Sequence, residues 1–276
     1  MFTSKDLKKL IIPLIFEQLL AVSVGFVDTF MVSIAGEAAV SGVALVDNIS
    51  NLLIQILSAL ATGGAVVCSQ YLGSRNINMS KKSAGQLIFI MSTLSSLLMV
   101  ISLIGNHGII NFIFGKIEKD VFESASIYFY ITAISYPFLG VYNAGAALFR
   151  SIGNSKISMN TSLIMNIINI CGNALFIFVF DMGVAGVAWA TFLCQGGSCV
   201  LSLWVVARRV RAVPREGERV WFSWKMLGQI AVVAIPSILQ QSFVSVGNII
   251  IQSVVNSFGA SVIAGFAAAT KPRPPK

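Results

Sequence analysis

Apolar residues run through this chain in seven long blocks, at 10–35, 43–72, 84–105, 125–149, 157–180, 184–207 and 226–258. At 1.5 Å rise per residue, each is long enough as a helix to cross the ~30 Å hydrocarbon layer of a bilayer. The pattern predicts an all-α polytopic membrane protein, because helices satisfy their own backbone groups inside lipid. The blocks are too long for barrel strands. Pro137 interrupts the fourth block, and Pro13 and Pro236 sit early in the first and seventh, where they can kink a helix. Short turns (GEAAVSG and DMG) alternate with basic connections, the longest being RRVRAVPREGERVWFSWK at 208–225. An eighth apolar start at 260–269 is too short to span, and the prolines of TKPRPPK at 270–276 prevent its continuing as a helix. A truncated or frameshifted reading frame is the expectation that fits this ending.

The blocks are not uniformly apolar. The first carries Glu17, Gln18 and Asp28, and carboxylates inside a span cost about 2.5–3.5 kcal/mol each on insertion scales. Glu17 and Asp28 are eleven residues apart, three helical turns, and so share a face. Ser162, Asn166, Asn169 and Asn173 form one polar stripe on the fifth block; Thr191, Gln195, Ser198 and Ser202 do so on the sixth. Asp47, Asn51, Ser58 and Thr62 line the second, and Gln241, Ser245, Asn248, Gln252 and Asn256 the seventh. Lipid cannot satisfy these groups, so the stripes face other helices or a wet cavity. For the serines and threonines, hydrogen bonds between helices at about 0.6 kcal/mol each are the simpler reading. For the asparagines with nearby carboxylates, a cavity is. Asp28 is the sharpest candidate: a carboxylate in a partly dry cavity can take up a proton or a cation. Its plain alternatives are a bond to a neighbouring asparagine or an interfacial position. Glu17, near one end of its helix, and Asp47, near one end of the second, fit a wet vestibule as well as a structural role. His107 reads as interfacial.

The opening stretch recurs. At an offset of 223 residues, Ile12, Pro13, Ile15, Gln18, Val32, Gly36, Gly42 and Ala44 meet identical residues, eight matches in 33 positions. Two similar halves are the expectation, with one half and the start of the second present here.

Composition agrees with the membrane reading. Hydrophobic residues make up 56% and charged residues 11%, against about 25% charged in soluble domains; mean hydropathy is +0.83. No signal peptide is read, since the first block is too long for one. The net charge of +8 is distributed by side: 14 Lys and Arg fall on the N-terminal side of the predicted bilayer, 2 on the other and 3 in the tail. That asymmetry places the N-terminus in the cytoplasm of a cell (plasma or inner) membrane, with the bilayer as the partner of the basic charge rather than nucleic acid. Cys68, Cys171, Cys194 and Cys199 lack metal-ligand spacing and read as small buried apolar residues. GxxxxGK[ST], GxSxG and HExxH are all missing, so neither ATP drive nor enzymatic catalysis is written in the chain.

Five segments together carry a family resemblance: Pro13 with Glu17–Gln18 and GFVDTFMVSIAGEAAVSG, LATGGAVVCSQYLG at 60–73, ALFRSIGNSKISM at 147–159, NIINICGNALFIF, and GVAGVAWATFLCQ. The chain resembles the multidrug and toxic compound extrusion (MATE) family up to about residue 269. The resemblance implies two pseudo-symmetric lobes of six helices around a central cavity. This chain then supplies the six-helix N-lobe (1–207), a basic inter-lobe loop (208–225), and helix 7 with a stub of helix 8 (226–269). It implies export of small cationic or amphipathic compounds by alternating access, coupled to inward Na+ or H+, with no cofactor and no obligate protein partner evident. On that resemblance Asp28 falls at the carboxylate that binds the coupling ion, Na+ being the sole metal implied. Asn169, Asn173 and Thr191 fall at other positions of the same cluster. One branch has a second aspartate where this chain has Asn173, which leaves Na+ and H+ both open. Glu17, Gln18, Asp47, Asn166, Gln195, Gln241 and Asn248 are candidate cavity-lining residues.

Three other readings compete. A lipid-linked-oligosaccharide flippase favours Arg and Lys within the cavity, and the seven blocks contain none. A seven-helix retinal protein or receptor has the opposite orientation, and the seventh block has no lysine for a Schiff base. A non-functional fragment of an antiporter is the strongest rival.

Overall fold

A computed structural model describes the backbone of residues 4–34, 36–115, 117–211 and 222–257. Within these, side chains are described except at 4–10, 18, 21, 26, 209–211, 245, 246 and 248–257. The inter-lobe loop at 212–221 and the expected helix-8 stub lie outside the described residues.

Among the described residues, eight α-helices follow one another: α1 (Ser4–Ile34), α2 (Glu37–Gly73), α3 (Ile77–Phe114), α4 (Lys119–Ile134), α5 (Tyr136–Ser151), α6 (Ser155–Ala174), α7 (Gly183–Arg211) and α8 (Trp224–Ser257). A π-helical turn, Leu175–Val179, extends α6. Six helices are individually long and apolar enough to cross a membrane; α4 and α5, bent by 52° at their junction, make a seventh span.

The bend has a local cause. Pro137 has no N–H to donate and its ring crowds the carbonyl one turn earlier, so the helix breaks there. Ser135 occupies the corner: its Oγ bonds the Thr132 carbonyl at 2.6 Å, while its own carbonyl accepts from Leu139 N at 3.1 Å. Pro13 and Pro236, by contrast, lie inside continuous helices.

Several helices exceed their apolar blocks. α3 begins at Ile77 rather than 84, with the Asn76 side chain accepting from Met79 N at 3.1 Å as its N-cap, and ends at Phe114 rather than 105. α4 starts at Lys119, inside the mixed-charge connection. Hydropathy marks only the part of a helix that meets hydrocarbon. The turns beyond it are polar and still helical.

α2 is the hub, packing against α3, α4, α5 and α8, while α6 pairs with α1 and α7. Small residues bring the helices together. A Cβ on Gly42 would lie 2.8 Å from Ala125 N of α4, and one on Gly63 2.8 Å from Ala234 of α8. The interior is held by Phe129, Leu57, Leu87, Met91, Ile110 and Ile230, all fully buried. Large apolar side chains such as Phe112, Ile104 and Val200 point outward, as they do in a bundle solvated by lipid tails. Cys68, Cys194 and Cys199 are buried; Cys171, expected to be buried too, is exposed because its face of α6 turns outward, away from the asparagine stripe.

At one end of the bundle lie the start of α1, the end of α2 and the start of α8, with the basic connections. Here the Tyr71 hydroxyl donates to Gln229 Oε1 at 2.7 Å. The Gln86 side chain donates to the Ser223 carbonyl at 2.7 Å and accepts from Ser223 N at 3.2 Å. Farther along, Gln241 of α8 donates to Gln55 of α2. These bonds tie α8 to the six-helix unit.

Candidate functional site

A cavity of about 290 Å³ opens in the half of the bundle away from the basic connections. Its wall takes the last third of α1, the first half of α2, the middle of the bent α4–α5 span, the second half of α6 and the first half of α7. The polar stripes of α6 and α7 meet here because their opposite faces are apolar and go to lipid.

Asp28 is the centre of the site. Its Oδ1 accepts from Asn173 Nδ2 at 2.7 Å, and the same amide nitrogen lies 3.2 Å from Asn169 Oδ1. Asn169 also reaches the carboxylate: with its Nδ2 facing Asp28 it donates to the two carboxylate oxygens at 2.8 and 3.2 Å. Asn169 is 6% and Asn173 0% exposed, and Asn173 Oδ1 has no hydrogen-bond partner. A buried acceptor left unpaired is costly without a ligand.

Thr191 lines the same cavity, its hydroxyl donating back to the Val187 carbonyl at 3.0 Å with lone pairs to spare. Asp47, Asn166 and Gln195 line it as well. Asp47, partly accessible on α2, accepts from the Tyr128 hydroxyl at 3.3 Å. Carboxylate, amide and hydroxyl oxygens are the donor set of a hard cation such as Na+.

Other sequence candidates go elsewhere. Glu17 does not line the cavity: it accepts from Ser158 Oγ at 3.2 Å on both carboxylate oxygens and pairs with Arg150 Nη1 at 3.6 Å. It shares a face of α1 with Asp28, but three turns of separation put it against the α5–α6 corner instead. Gln241 pairs with Gln55 at the α2–α8 contact. The side chains of Gln18 and Asn248 lie outside those described. His107 is exposed at the end of α3, packed edge-on to Phe122 with ring centroids 5.3 Å apart.

Tyr128 and Tyr136 line the cavity and escape the sequence reading. Tyr136 shares a 3.3 Å hydroxyl contact with Ser50 of α2. A signal was present: Tyr128, Thr132 and Tyr136 recur every four residues, the helical period of the other stripes. Apolar bodies mask the two tyrosines in any count of polar residues.

Known proteins share both the sequence and this arrangement. The MatE family profile matches residues 13–175. A probable multidrug resistance protein, YpnP of Bacillus subtilis, is 27% identical over 266 residues, covering 95% of this chain and 59% of its own length. The probable multidrug resistance protein NorM of Thermotoga maritima is 24% identical over 265 residues, covering 95% of this chain and 56% of its own. The fold matches a solved MATE in the straight conformation (TM-score 0.86, 21% identity, 96% of this chain and 59% of that one). It also matches an outward-facing multidrug resistance MATE family transporter of the MOP superfamily (TM-score 0.82, 21% identity, 96% and 58%). The chain thus spans about three-fifths of the length of the relatives it matches. It is a multi-pass membrane protein, and it belongs to the MatE family, the multidrug and toxic compound extrusion family.

Proposed function

We propose that this chain forms the ion-coupling half of an antiporter that exports small cationic or amphipathic compounds, driven by inward Na+ or H+. The observation that carries the reading is the Asp28–Asn169–Asn173 cluster, a membrane-embedded carboxylate held by amide side chains with the buried Asn173 Oδ1 left unpartnered beside it. One carboxylate binds one monovalent cation, and a cationic substrate entering the same cavity disfavours that cation by charge repulsion. Exchange follows from that mutual exclusion, with no covalent step.

The distribution of Lys and Arg puts the basic end of the bundle in the cytoplasm of the cell membrane, N-terminus inside. The cavity then lies in the outer half, and the Tyr71–Gln229, Gln86–Ser223 and Gln55–Gln241 bonds close the cytoplasmic side. Alternating access requires α8 to separate from α2 there. Uptake of ethidium into everted membrane vesicles, with Na+ or H+ imposed at higher concentration in the lumen, tests the reading. Uptake with either gradient, and none without, is expected; gradient-independent uptake, or none at all under both, overturns it for this chain.

A further inference from the structure

Asp28 is not the sole acid of the cavity. Asp47, on α2, lines it from the other wall and is the more exposed of the two. α2 rises 1.5 Å per residue, so Asp47 sits about 6 Å inside the apolar block that begins at residue 43. A carboxylate at that depth needs water or a cationic partner, yet among the described residues no Lys or Arg lines the cavity. Its recorded hydrogen bond is the one from Tyr128, at 3.3 Å. That contact leaves Oδ2 and the remaining Oδ1 lone pair directed to other partners. The rings of Tyr128 and Tyr136 border the same space, and aromatic faces attract an ammonium group.

A second observation points to a ligand here. Asn166 lines the cavity and is 8% exposed, yet its Nδ2 has no hydrogen-bond partner. On the neighbouring α7, Gln195 Oε1 is likewise unpartnered. An unpaired buried donor wants an acceptor atom. An unpaired acceptor and a carboxylate with a single hydroxyl partner want a cation.

We propose that Asp47, flanked by Tyr128 and Tyr136, is a second cation station that binds the ammonium head of an organic substrate, separate from the Asp28 cluster, and that Asn166 selects substrates carrying an acceptor oxygen beside that head. This deepens the transport reading and rests on it for the word substrate. The binding itself does not depend on which ion Asp28 holds. With two carboxylates in one cavity, the substrate head and the coupling cation occupy adjacent positions.

Equilibrium dialysis of the purified chain in detergent tests the station, with radiolabelled acetylcholine (ammonium plus carbonyl acceptor) and tetraethylammonium (ammonium alone) as probes. Asp47→Asn is expected to weaken both at least tenfold, and Asp47→Glu to recover most of the loss. Asn166→Leu is expected to weaken acetylcholine at least fivefold and leave tetraethylammonium within twofold. Release of H+ or Na+ on adding tetraethylammonium, read with electrodes, is a separate readout: its absence while Asp47-dependent binding persists overturns the transport reading and not the station. Should Asp47→Asn fail to fold, carbodiimide labelling of Asp47 in the unmutated chain, followed by mass spectrometry, is expected to slow when tetraethylammonium is added. No saturable binding of either probe, unchanged binding in Asp47→Asn, or labelling indifferent to tetraethylammonium overturns the station.

Discussion

Asn173 donates its amide to the carboxylate of Asp28 at 2.7 Å, joining α6 to α1 across 145 residues of sequence. A hydrogen bond to a charged group contributes about 1.5–3 kcal/mol, more than most contacts between membrane helices. The bond also sets the site's charge: an aspartate at 173 puts a second carboxylate where a neutral donor now stands.

Asn173→Asp is therefore expected to make the fold depend on a bound cation. Two carboxylates at this distance cannot both be ionised without a cation or a shared proton. Thermal unfolding of the variant should shift upward by several degrees between 0 and 150 mM NaCl at constant ionic strength, and by more than in the unmutated chain. An identical response in both proteins contradicts the placement of Asn173 against Asp28.

Glu17 gives the opposite expectation. It binds Ser158 and Arg150 and lies away from the cavity, so its work is to hold α1 against the α5–α6 corner. Glu17→Gln should lower stability by about 1 kcal/mol, read as a fall in Tm of a few degrees. Cation binding at Asp28 should be unchanged. A loss of cation binding with intact stability reverses that assignment.

The α2–α8 contact is set by Gly63 against Ala234. Gly63→Leu overfills it, at a cost of about 1–3 kcal/mol, and should push α8 away from α2. With the native cysteines replaced by alanine, a cysteine introduced as Ala234→Cys is expected to react with a maleimide at least tenfold faster when Gly63→Leu is present. Equal rates mean that this contact does not close the bundle.

The spans were legible in the sequence because hydrocarbon imposes a length, and each apolar block has its helix. Asp28, Asn169 and Asn173 were legible too: asparagines and a carboxylate in lipid-length blocks have few alternatives to facing inward, and the four-residue period aligns them. Tyr128 and Tyr136 were not, since a tyrosine ring counts as apolar until a neighbour shows where its hydroxyl goes. Glu17 shows the limit of face reasoning. It shares a helical face with Asp28, but a face three turns long meets different neighbours along its length, and only packing reveals that Arg150 and Ser158 wait at the far end. The Gln55–Gln241 pair was hidden for the same reason, being a contact between helices 186 residues apart.

The central claim is that Asp28 holds the ion that a substrate displaces. Adding ethidium to the purified chain in weakly buffered detergent, with H+ and Na+ electrodes recording, measures that exchange directly. About one cation, H+ or Na+, should be released per ethidium bound by the unmutated chain, and none by the folded fraction of Asp28→Asn. Equal release from both proteins contradicts the account.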